Sequence, residues 1–113
     1  MIDIDGINSV VSQYGKFGWR FERILLKEPS EAILSAFTDV PASIGSLDAL
    51  WFSRESGDGR AWELRRLTGT PFALVRVVGP DTEDQELEDV LRTVEAEMAE
   101  RGVKANGENF NGK

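Results

Sequence analysis

Three runs of aromatic and branched residues between positions 47 and 78 constrain the fold of this 113-residue chain more than any other feature. Within these runs apolar side chains occupy alternate positions, which is the period-2 pattern of strands in a sheet with one buried face. The runs therefore predict three consecutive antiparallel strands. The alternating residues are Leu50, Phe52, Trp62, Leu64, Val75 and Val77.

Turn residues separate the runs and decide which side chains share a face. A two-residue loop of Asp58 and Gly59 would place Leu50 and Phe52 beside Glu63, whereas an odd-length loop would place them beside Trp62. We expect the odd-length loop, because it makes one face wholly apolar. In the second connection, a four-residue loop over 68–71 then sets Leu64 opposite Val75 and Trp62 opposite Val77.

On this register the other face of the sheet is mixed and should form an interface. We expect Glu63 to pair with Arg76 across neighbouring strands, and Arg65 to lie near Trp51 as a cation–π contact. So much apolar surface needs a cover, which is a helix of the same chain, a second subunit or a partner. The predicted partner-binding or dimer face comprises Trp51, Glu63, Arg65, Leu67, Phe72, Leu74 and Arg76.

The flanking residues predict three helices and one more strand. Apolar spacing indicates helices over 3–14 and 82–101, a short helix after Pro29 that closes before Pro41, and a strand over 19–26. Residues 40–46 read as a loop. A right-handed crossover would place strand 19–26 parallel to one of the three consecutive strands, as an immediate neighbour of 47–54. The sequence thus predicts an α+β, two-layer sandwich in the order αβαβββα. Its mainly antiparallel four-stranded sheet should carry helices chiefly on the Leu50 and Phe52 face.

The ends of the last helix also have sequence signals. Thr82 and Gln85 have the spacing of a capping box, and Gly102 is placed where a left-handed residue ends a helix. We therefore expect a single domain over 1–103 and a flexible C-terminal tail over 104–113.

The chain contains no cysteine and no histidine. Disulfides, thiolate nucleophiles and histidine-based catalysis are thereby excluded, and we expect neither a cofactor nor a metal. Asp3 and Asp5 are better explained as acids in the first turn of a helix than as a metal pair. The N-terminus lacks the basic start and apolar middle of a signal peptide, so the sequence predicts a soluble, cytoplasmic protein without a membrane anchor.

Negative charge is concentrated near the C-terminal helix. The net charge is −7, and residues 79–101 alone hold nine acidic residues against two arginines. This balance argues against nucleic-acid or anionic-membrane binding. The acidic side of the helix is either a solvated face or a docking face for a basic protein, as in an inhibitor or immunity-type protein. The residues of this predicted acidic docking face are Glu83, Glu86, Asp89 and Glu97.

No catalytic or ligand-binding motif stands out. The first hypothesis is therefore a non-catalytic interaction domain that forms a homodimer or binds a protein partner through the sheet. The alternative is a small-molecule-binding protein, or an enzyme without His or Cys, with a carboxylate–arginine site on the sheet. A concave cavity that holds Glu63 and an arginine would favour the alternative. A third hypothesis makes the acidic helix a mimic of nucleic acid.

Overall fold

A computed structural model describes residues 2–70 and 72–111, with side chains as far as Arg101. The predicted α+β class and the order of the predicted elements are confirmed, but the sheet has five strands rather than four. The elements are α1 (Ile4–Lys16), β1 (Arg20–Leu26), α2 (Glu31–Ala36), β2 (Ala42–Ile44), β3 (Ala49–Ser56), β4 (Gly59–Arg66), β5 (Ala73–Val78) and α3 (Asp84–Asn111).

The additional strand, β2, lies at one edge of the sheet. The strand order is β2-β1-β3-β4-β5, and only the β1–β2 pair is parallel. The crossover through α2 therefore ends in β2, within the predicted loop over 40–46. The predicted neighbours 19–26 and 47–54 are adjacent, but they run antiparallel rather than parallel. A strand of three residues is too short to show an alternating pattern, which is why β2 had no sequence signal.

The loop between β3 and β4 is even, so the prediction of an odd-length loop is wrong. Ser56 pairs with Gly59, which leaves Gly57 and Asp58 as the loop. Gly57 has a φ of 61°, whereas Asp58 does not have a positive φ. This combination is typical of a type II′ turn, which favours glycine at its first central position.

The second connection also differs from the predicted four-residue loop. Leu64 lies opposite Leu74 rather than Val75, and the Arg66 N–H donates to the Phe72 carbonyl at 2.9 Å. This register turns Leu74 toward the same face as Trp51. Val75 is instead the cross-strand neighbour of Glu63.

Helices cover both faces of the sheet, so the predicted two layers are in fact three. On the α3 face, Leu91, Val94 and Met98 pack against a core that includes Trp51 and Leu64. On the opposite α1 face, helices α1 and α2 pack on a second core that includes Leu50 and Phe52. The physical reason is that β3 is apolar on both sides: all five residues from 49 to 53 are buried.

The N-terminal ends of α1 and α3 are capped, although in α3 not by the predicted residues. Asp3 accepts a hydrogen bond from the Gly6 N–H at 2.7 Å, as an N-cap does. At α3, the Glu86 side chain accepts a hydrogen bond from the Glu83 N–H at 3.1 Å. The capping pair is therefore Glu83 and Glu86, one residue later in the chain than the predicted pair of Thr82 and Gln85.

Helix α3 continues to Asn111 and does not end at Gly102. The flexibility of the tail over 104–113 stays a prediction, and residues 112 and 113 lie outside the described part. No described helix has both the length and the apolar composition needed to cross a membrane.

Candidate functional site

The structure divides the predicted partner-binding face between the two sides of the sheet. Trp51, Leu74 and Arg76 lie on the α3 face, whereas Glu63 and Arg65 lie on the α1 face. Phe72 packs with the α3 core and Leu67 with the α1 core. Two register changes cause this division. The even hairpin loop pairs Trp51 with Leu64 and Phe52 with Glu63, and the second connection sets Leu64 opposite Leu74.

Two predicted contacts on that face do not form. Arg76 pairs with Glu97 of α3 at 2.5 Å instead of with Glu63. Trp51 is fully buried, and its Nε1 donates to Glu95 Oε2 at 2.8 Å, so it does not contact Arg65. These polar groups hold α3 against the sheet, and Arg76 and Glu97 remain partly exposed to solvent.

The acidic side of α3 is only partly free for a partner. Glu83, Glu86 and Asp89 are exposed, but Asp89 pairs with Arg92 at 3.3 Å and Glu97 is engaged by Arg76. Docking of a basic protein on these residues stays a prediction.

Another acid of the same helix, Glu88, faces the sheet. Arg23 donates two hydrogen bonds to it, at 2.6 and 3.0 Å. These bonds lower the pKa of Glu88 and raise the pKa of Arg23.

A concave site lies on the α1 face, between the C-terminal end of α1 and strands β3 and β4. We call it the Tyr14–Glu63 cavity. Its volume is about 630 Å³. The turn after α1 forms one wall, where the Trp19 N–H donates to the Tyr14 carbonyl at 3.1 Å. The lining residues are Gln13, Tyr14, Lys16, Phe17, Trp19, Arg54 and Glu63.

The floor of the cavity is fixed by Tyr14 and Glu63. The Tyr14 hydroxyl donates to Glu63 Oε2, and the phenol ring stacks on Phe52 with centroids 4.0 Å apart. Burial raises the pKa of Tyr14, and the hydrogen bond and negative charge of Glu63 raise it further, against the opposing effect of Arg65. Tyr14 therefore stays a neutral donor and holds the carboxylate of Glu63 in place.

Two cations stand at the rim of the cavity. The Arg54 guanidinium lies 4.5 Å from the centroid of the Trp19 ring, and its Nη1 donates to the Phe17 carbonyl at 2.8 Å. Among the described residues neither Arg54 nor Lys16 forms an ion pair. The cavity thus combines aromatic walls, one carboxylate and two cationic side chains without a partner carboxylate.

A second surface, the β5 edge, consists of Ala73, Val75 and Val77. The bond between Arg66 and Phe72 marks a hydrogen-bonded pair, and such pairs alternate along an antiparallel ladder. The backbone N–H and C=O groups of the β5 edge therefore point away from β4. Arg76 Nη1 donates to the Val75 carbonyl at 3.0 Å, which agrees with that direction. Val75 and Val77 are 44% and 61% exposed.

Sequence patterns identified only Glu63 among the cavity residues. Tyr14 is the last residue of the apolar stripe of α1. Arg54 lies on the same face of β3 as Leu50 and Phe52, so predicting an even hairpin loop would have placed Arg54 on the same face as Glu63. The meeting of α1 with β4 had no local signal. No cluster of acidic side chains that could hold a metal occurs within the described residues.

A scan against models of protein families, a search of curated proteins and a search of solved structures each find no match for this chain.

Proposed function

We propose that this protein is a small non-catalytic interaction domain that forms a homodimer through the β5 edge. The observation that carries the proposal is the coincidence of exposed valines with unpaired backbone groups on one strand. An open edge of this kind is a template for a strand of another chain. The opposite edge strand, β2, has only three residues and offers a shorter ladder.

The sequence of β5 is compatible with pairing to a second copy of itself. An antiparallel pair centred on Val75 would align Val77 with Ala73 of the second copy, so apolar side chains would meet on the α1 face. On the α3 face, Arg76 would lie opposite Leu74. A parallel pair would instead set Arg76 opposite Arg76, and like charges directly opposite are destabilising. The antiparallel arrangement is also closed and two-fold, as in most homodimers.

A non-catalytic role is supported by the two arginines of the sheet that face α3. Arg23 pairs with Glu88 and Arg76 pairs with Glu97. Both pairs join the sheet to α3, so these arginines stabilise the fold and are not free to act on a substrate.

The test is the absolute mass by light scattering after size exclusion, over a range of loading concentrations. We expect the wild-type mass to rise from one chain toward two. Val77→Lys should remain a single chain, because a charge replaces an apolar contact worth about 1.5–3 kcal/mol. That loss corresponds to a weakening of association by about tenfold or more.

The matched control is Ile44→Lys, which changes an exposed apolar residue on the other edge strand. It should dimerise as the wild type does, and circular dichroism should show that both variants are folded. A wild type that stays monomeric at every concentration would contradict the proposal, as would equal masses for the two variants.

A further inference from the structure

We propose that the Tyr14–Glu63 cavity is a binding site for a small aromatic carboxylate. The inference is independent of dimerisation, because none of the cavity residues belongs to the β5 edge. Three properties of the cavity support it: its volume, its aromatic walls and the charge of its rim.

The size of the cavity suits a small organic ligand. Its volume of about 630 Å³ falls within the range of about 300–1,000 Å³ that ligand sites occupy. Its floor is rigid, because Tyr14 is stacked on Phe52 and hydrogen-bonded to Glu63. A rigid floor reduces the entropy lost on binding.

The walls favour an aromatic ligand. Tyr14, Phe17 and Trp19 all line the cavity, and the Phe17 side chain is 72% exposed. A flat apolar ligand that contacts Phe17 would remove part of this surface from water. Offset and edge-to-face contacts between rings add affinity beyond that of the area buried.

The charge of the rim favours a carboxylate on that ligand. Lys16 and Arg54 outnumber Glu63, and one oxygen of Glu63 is already engaged by Tyr14. The patch is locally positive although the whole chain carries −7. Arg54 uses Nη1 on the Phe17 carbonyl and is stacked on Trp19, so its other N–H groups are held in a fixed plane. A guanidinium in a fixed plane is suited to a carboxylate, which it binds by two parallel hydrogen bonds.

The test uses benzoate as the probe, with benzyl alcohol and benzylamine as its neutral and cationic analogues. The indole N–H signals of the three tryptophans are followed by two-dimensional NMR and assigned through Trp19→Phe. We expect benzoate to shift the Trp19 signal saturably. The signals of Trp51 and Trp62 should stay in place, because both lie in the α3 core. The two analogues should bind at least about tenfold more weakly.

Variants separate the role of Arg54 from general charge. Arg54→Gln should weaken benzoate binding by about tenfold or more, and Arg54→Lys should retain part of it, because the charge remains while the planar fork is lost. Arg92→Gln, on the exposed side of α3, is the matched control and should bind as the wild type does. The proposal is overturned if benzyl alcohol binds as well as benzoate, if no saturable shift occurs, or if Arg54→Gln and Arg92→Gln behave alike.

Discussion

At the scale of single residues, two tryptophans on the same face of the sheet differ in one respect. Trp51 and Trp62 are both buried, and their ring centroids lie 6.2 Å apart in an edge-to-face contact. Trp51 donates its Nε1 hydrogen to Glu95, whereas no described group accepts a hydrogen bond from Trp62 Nε1. The pair therefore compares a tryptophan whose N–H is bonded to a carboxylate with one whose buried N–H has no described acceptor.

We expect Trp51→Phe to lower the free energy of unfolding more than Trp62→Phe, by about 1.5–3 kcal/mol. Both changes remove similar ring area, but only Trp51→Phe leaves Glu95 without its donor, and hydrogen bonds to charged groups are worth about this much. Urea unfolding followed by circular dichroism measures both. Equal losses would show that the bond from Trp51 to Glu95 contributes nothing to stability.

Tyr14 gives the protein a dependence on alkaline pH. Its pKa is raised in the folded state, while in the unfolded chain it ionises near the ordinary value of about 10. The stability that Tyr14 contributes is therefore fully present below about pH 10. As pH rises above it, the unfolded chain releases the proton that the folded chain keeps, and stability falls.

We expect this loss of stability above about pH 10 to be smaller in Tyr14→Phe, which has no phenol to ionise. Tyr14 is the single tyrosine of the chain, so absorbance at 295 nm follows its ionisation alone. The folded protein should titrate at higher pH than the protein unfolded in urea. Coincident titrations would contradict both the burial of Tyr14 and its hydrogen bond to Glu63.

At the scale of elements, the sequence predicted which strands form better than how they align. Period-2 spacing located β3, β4 and β5, and an apolar run located β1, because local propensity is contained in each run. The predicted alignment of the strands was wrong because the sheet was assumed to have only one buried face. That assumption excluded a hairpin loop with an even number of residues. In the structure both faces of β3 are buried, so the loop of Gly57 and Asp58 leaves no apolar side uncovered.

The second glycine of this hairpin region has a steric role that the sequence did not reveal. A Cβ atom at Gly59 would lie 2.2 Å from the Val78 carbonyl oxygen of β5. We expect Gly59→Ala to lower stability by about 1–3 kcal/mol, because the backbone of β4 or β5 must move. Gly45→Ala is the control: its Cβ would meet no atom within 4 Å, and it should change stability by less than about 0.5 kcal/mol. Thermal melts of the two variants measure this difference. Similar melting temperatures would contradict the close approach of Gly59 to the Val78 carbonyl.

At the scale of the whole molecule, the candidate sites depend on how layers meet. Glu63 was predicted as a functional carboxylate, but its neighbours Tyr14 and Arg54 come from other elements. Their meeting is set by the position of α1 on the sheet, which no local pattern encodes. The β5 edge likewise follows from strand order: β5 pairs with β4 on one side, and β1 pairs with β3 rather than with the outer side of β5.

The net charge of the molecule makes a prediction about the proposed dimer. Each copy carries −7, so two copies repel one another at long range. Salt screens this repulsion, with a Debye length that falls from about 30 Å at 0.01 M to about 10 Å at 0.1 M. The proposed contact at the β5 edge would be made by valines and backbone groups, which salt does not weaken in the same way. We therefore expect the association constant to rise with NaCl, measured by sedimentation equilibrium between about 0.01 and 0.1 M.

Val77→Lys, which should not dimerise, serves as the control for non-specific aggregation. Association that weakens as salt is added would mean that ion pairs hold the copies together, and the β5 edge would not be the interface.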